Sequence, residues 1–179
     1  MMVLKANELQ EQGVKLYDQH DYEAAARLFQ QAKEAYAEAS QHDMVAEMKV
    51  NIGLVHRALG ENQQALELMQ EAQRAFQEAG DKLRLAQVLG NMGGVYLALS
   101  DREQAFHVYR QAADIFLELG EKKLYSETML AIGSLQVRGG KFFNGAAYYQ
   151  IGLEGLENLT PAQKLIKRLS ALVSALGNR

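Results

Sequence analysis

Apolar side chains along this chain recur at helical intervals. Ala65, Leu68, Met69, Ala72 and Phe76 follow one another at steps of 3, 1, 3 and 4, one stripe of an amphipathic helix. The stripe returns as Ala25, Leu28, Phe29, Ala32, Tyr36 and as Ala105, Val108, Tyr109, Ala112, Phe116. Another apolar run precedes each, for example Met48, Ile52, Val55 and Leu59. Alternation with period two is nowhere sustained, so the pattern predicts helix throughout.

The stripes are copies. Gly53 and Gly93 stand 40 residues apart, with Gly13 and Gly133 one further step to either side. Ala65 and Ala105 are matched by Ala25 and, in the last copy, by Gly145; Ala72 and Ala112 are matched by Ala32 and Gly152. Four tandem copies at a fixed period predict a repeat solenoid whose units bury their core by stacking. The expected architecture is a single all-α domain over 1–179, with repeats at about 5–41, 42–81, 82–121 and 122–159. Gly80-Asp81 and Gly120-Glu121 place glycine where a helix stops and an acid where the next begins. The lone proline, Pro161, follows Thr160 and predicts a ninth helix over about 160–177. Its Leu165, Leu169, Leu172, Val173 and Leu176 share a face and are expected to cap the open end of the last repeat. The interior glycines and alanines predict close approach between the two helices of a repeat.

These residues resemble the tetratricopeptide repeat. That family places a small residue midway along helix A, an aromatic three positions later, then alanine, aromatic and alanine in helix B. The third repeat supplies Gly93, Tyr96, Ala105, Tyr109 and Ala112; the second keeps Gly53, Ala65, Met69 and Ala72 but has His56 at the aromatic position. The 40-residue period looks like the family's long-helix branch, similar to kinesin light chain and the adaptors built from Leu-Gly-Asn repeats. The resemblance implies a right-handed α-α superhelix, with helix A of each repeat lining a concave groove and helix B facing outward. It implies a partner peptide or helix bound there by Asn7, Tyr17, Val50, Asn51, Leu54, Arg57, Gly90, Asn91, Leu97, Leu130, Ser134 and Arg138. Asn51 and Asn91 are repeat-equivalent, and an asparagine amide both donates to and accepts from a peptide backbone. A clamp for a chaperone's C-terminal carboxylate is not expected, because the matching positions hold Gln10, Val14, Glu47, Asn51 and Asn91.

Composition narrows the rest. A net charge of −3 provides no field for phosphate backbones, so nucleic acid is not an expected partner. The absence of cysteine removes disulfides and thiolate chemistry. His20, His42, His56 and His107 are scattered, with no metal-ligand spacing, so no metal, cofactor or enzymatic activity is expected; His56 is read as packed or hydrogen-bonded. The first residues lack a signal-peptide core and no apolar run is long enough for a bilayer, which predicts a cytoplasmic protein with no membrane contact. The aromatic cluster Phe142, Phe143, Tyr148, Tyr149 is expected to fill the core beside Gly145 and Gly152. The alternative function is a scaffold acting through homotypic self-assembly, including a homodimer.

Overall fold

A computed structural model describes residues 2–177. Among them lie nine α-helices: α1 (Met2–Asp18), α2 (Tyr22–Glu38), α3 (His42–Ala58), α4 (Asn62–Glu78), α5 (Lys82–Ala98), α6 (Arg102–Leu119), α7 (Lys122–Arg138), α8 (Phe142–Glu154) and α9 (Pro161–Gly177). The chain divides into two compact units between Ser100 and Asp101. In the N-terminal unit each of α1 to α4 packs on the next, α4 packs on α5, and α3 touches α5. In the C-terminal unit α6, α7, α8 and α9 pack successively.

The turns from α1 to α8 share one geometry. A residue with positive φ recurs every 20 positions: His20, Ser40, Gly60, Gly80, Ser100, Gly120 and Gly140, with φ between 55° and 83°. At six of them the next residue sends its N–H back five positions to the preceding helix, as in Gln41 to Tyr36 O (2.9 Å) and Glu61 to His56 O (2.8 Å). That bond closes a Schellman motif. The same residue starts the following helix. Asp21, Asp81 and Asp101 cap it by accepting the N–H of Ala24, Arg84 and Gln104. At α9, Thr160 and Gln163 form a reciprocal capping box.

The core of the N-terminal unit gathers Ala6, Ala25, Phe29, Ala32, Tyr36, Met48, Ile52 and Val55. The small residues act as the pattern predicts. A Cβ on Gly53 would lie 3.2 Å from Ala65 O and from Met69, and one on Gly133 would lie 3.1 Å from Gly145 O and Tyr149.

Two expectations fail. Leu165, Leu169, Leu172 and Leu176 of α9 do not cover the last repeat: each is more than half exposed. The side of α9 turned inward carries buried Ser170, with Gln163, Lys167 and Val173 half-buried. Ser170 fits because its Oγ donates to Lys167 O at 3.0 Å, leaving a narrow, satisfied contact surface. Phe142 and Phe143 are exposed as well, at 60% and 56%. They open α8, where the tight α7–α8 approach is made by Gly145, Tyr149 and Gly152 and leaves no room for them.

Candidate functional site

In the N-terminal unit α1, α3 and α5 are tied near one end by a polar chain. The Tyr36 hydroxyl lies 2.7 Å from Asn7 Oδ1 and 2.7 Å from Gln10 Oε1. Gln10 Nε2 donates to Glu47 Oε1 at 2.9 Å. Arg84 of α5 then reaches Glu47 at 3.5 Å and Asp43 at 3.1 Å, and Asp81 at 2.6 Å. Its guanidinium also lies over the Phe76 ring, 5.3 Å from the centroid. Burial raises the Tyr36 hydroxyl pKa, and the negative fields of Glu47, Asp43 and Glu11 add to it, so Tyr36 stays a proton donor.

Beyond this tie, the candidate residues separate. Tyr17, Asn51 and Leu54 come together with Val14 and Phe29 around a pocket of about 150 Å³. Tyr17 is fixed edge-on against Tyr22, centroids 5.4 Å apart. Asn51 and Asn91, half-buried at the same position of α3 and α5, spend their amides on no other described group. Beside Asn91, a Cβ on Gly90 would meet nothing within 4 Å, so the surface there is open. Arg57 and Leu97 are half-buried. Asn7 is already engaged by Tyr36, and Val50 is buried at 9% exposure, so its side chain belongs to the core.

Leu130, Ser134 and Arg138 lie on α7 in the C-terminal unit. Leu130 packs toward α8, where a Cβ on Gly152 would approach it to 2.9 Å. Ser134 is half-buried and Arg138 exposed. The sequence reading missed the Arg84 junction. Its partners come from positions 43, 47 and 81, and only the stacking of α3 against α5 brings these together. His56, in contrast, makes the hydrogen bond expected of it, to Glu61 at 2.5 Å.

Helices of nearly equal length, joined up to α8 by turns of one geometry and packed successively within each unit, define a helix-turn-helix repeat protein, an all-α solenoid. Residues 10–78 and 44–118 match the tetratricopeptide repeat profile, together more than half of the sequence, and the chain belongs to that family. Two solved structures are similar to it at 16% identity, a level that carries the fold alone. Aspartyl phosphate phosphatase F from Bacillus subtilis superimposes with a TM-score of 0.84 over 98% of this chain and 46% of that one, so this chain spans less than half of its length. BtubC (BKLC) from P. vanneervenii gives a TM-score of 0.66 over 98% of this chain and 81% of that one. No curated protein matches the sequence. Among the described residues no helix is long and apolar enough to cross a membrane.

Proposed function

We propose that this chain is a protein-interaction module that holds a partner's peptide segment or helix along α1, α3 and α5. The observation that carries this reading is the pair Asn51 and Asn91, repeat-equivalent and with uncommitted amides, beside the Tyr17–Leu54 pocket and the open surface at Gly90. Two amides one repeat apart can engage separate peptide groups of a ligand backbone, while the pocket accepts an apolar side chain. The Arg84 junction supports the reading because it holds the three helices in fixed register before any ligand arrives, lowering the ordering cost of binding. The 40-residue period favours the long-helix branch similar to kinesin light chain and the Leu-Gly-Asn adaptors.

The test is selection of binders from a random peptide library, followed by fluorescence anisotropy with wild type and the Asn51→Ala/Asn91→Ala double variant. The variant is expected to bind at least tenfold more weakly, with unchanged circular dichroism; equal affinity would move the site elsewhere. A second reading, homotypic self-assembly, is favoured by the exposed Phe142, Phe143 and α9 leucines. Sedimentation that shows a monomer at high concentration removes it.

A further inference from the structure

The C-terminal unit contains a cleft of about 940 Å³ between α6 and α8, floored by the end of α7. It shares no residue with the α1–α3–α5 surface. Gln136 opens into this cleft although it is only 9% exposed. Its side-chain amide has no partner among the described residues. The residue is buried but its amide atoms are not enclosed: they reach the cleft, where a ligand can meet them.

The corresponding place in the N-terminal unit shows what completion looks like. His56 occupies the position of Gln136 one repeat pair earlier, also at the wall of a cleft, one of about 460 Å³. There the ring is bonded to Glu61 of its own repeat. The residue at the position of Glu61 is Lys141, so the internal acceptor is replaced by a cation that lines the larger cleft.

Other cations join it. Arg102 and Lys141 have no carboxylate partner among the described residues, and Arg110 is 3.8 Å from Asp114 and 3.4 Å from the Tyr148 hydroxyl. Glu103 is the one carboxylate on the lining, and His107 stands beside it. This is a local excess of positive charge on a chain whose net charge is −3. Between the cations runs an apolar wall, with Phe106 edge-on to Tyr148 at 6.4 Å and Ile151 exposed.

We infer that the α6–α8 cleft is a second binding site, for an acidic peptide segment. Ligand carboxylates meet Arg102, Arg110 and Lys141 in charge-assisted bonds. A ligand peptide group pairs with the Gln136 amide, which offers both donor and acceptor. An apolar ligand side chain rests on Phe106 and Tyr148. A free phosphate would use the cations but neither the amide nor the wall, and would fill little of the volume.

The experiment uses the full chain and a fluorescein-labelled peptide of six alternating glutamates and leucines, followed by anisotropy at about 50 mM salt, where charge pairs are weakly screened. Lys141→Glu is expected to weaken binding at least tenfold. Gln136→Leu, which changes no charge, is expected to weaken it about tenfold. Arg27→Glu, at the smaller cleft of the N-terminal unit, should leave it unchanged. Loss with Lys141→Glu but not with Gln136→Leu overturns the site in favour of unspecific charge attraction. Wild-type affinity in both variants, no binding at all, or displacement by inorganic phosphate or a single-stranded oligonucleotide at lower concentration than by unlabelled peptide also overturns it. Lys141 is on the surface, so that variant reads binding even if Gln136→Leu perturbs folding. Asn51→Ala/Asn91→Ala should not affect this peptide, which separates failure here from failure of the α1–α3–α5 reading.

Discussion

The pairs α3–α4 and α7–α8 meet the same packing requirement with different residues. In α3–α4 one side of the closest contact is Gly53 and the other keeps its Cβ, at Ala65, with Met69 flexible beside it. In α7–α8 both sides are glycine, Gly133 and Gly145, and the approach continues along α8: a Cβ on Gly152 would lie 2.8 Å from Ser126 O, and one on Gly155 would collide with Ser126 Oγ. Each interior glycine costs helix stability, about 1 kcal/mol relative to alanine. The C-terminal pair therefore trades helix propensity for proximity, and α8 is the shortest of the described helices, at 13 residues.

Substitutions sharpen this contrast. Gly152→Ala drives a Cβ into a backbone oxygen that cannot rotate away, and is expected to cost about 2–3 kcal/mol in urea unfolding. Gly53→Ala also meets a backbone oxygen, Ala65 O, but at 3.2 Å rather than 2.8 Å and beside a Met69 that can shift, so it should fall within about 1 kcal/mol of wild type as the gain in propensity offsets the crowding. If the two variants are equally destabilised, the distinction between the pairs is wrong.

A smaller effect comes from Ser126 itself. It is fully buried and its Oγ has no partner in the described structure, whereas Ala46 and Ala86 occupy the same repeat position. Ser126→Ala should stabilise the chain by about 1 kcal/mol, seen as a higher denaturation midpoint. Destabilisation would mean that the hydroxyl has a partner after all.

The smallest effect separates the units by pH. Burial pushes the Asp81 carboxyl up, but the Arg84 backbone N–H and guanidinium outweigh it and hold the carboxyl below its ordinary range. A lowered carboxylate contributes stability above its unfolded value, about pH 4, and loses it as pH falls through the folded value. Arg84→Ala should therefore cost up to about 1 kcal/mol at neutral pH, with the gap to wild type closing in acid. A gap independent of pH would assign the loss to the Phe76 contact alone.

Much of this fold was legible because helical stripes and a 40-residue step are both periodic signals. Periodicity shows which residues of α9 share a face, but not that the face carrying Ser170 turns inward. Leu165, Leu169, Leu172 and Leu176 therefore stand exposed where the pattern predicts contact, while Val173 of the same face is half-buried. Phe142 and Phe143 misled for a related reason: bulk beside glycine reads as compensation, yet the glycines brought the backbones together and left no space to fill. Asn51 and Asn91 were visible as matching letters. The Arg84 junction and the Gln136–Lys141 cleft depend on residues from separate helices, and no single stretch of sequence displays them. The breaks at 18–21, near 41 and at Ser100-Asp101 were legible too; what the letters did not show is the left-handed backbone at His20, Ser40 and Ser100, where other residues stand in place of glycine.

Those turns carry a consequence for how such a chain can change length. Positive φ at 20-residue steps, each followed by a residue that closes one helix and opens the next, makes each of these seven turns an equivalent splice point. Removing residues 41–80 would join Ser40 directly to Asp81, and the junction would inherit a left-handed residue followed by a capping aspartate, as both parent turns supply. Length here is quantised: whole hairpins can be gained or lost without inventing a new joint, whereas a cut within a helix must repair its register on both sides.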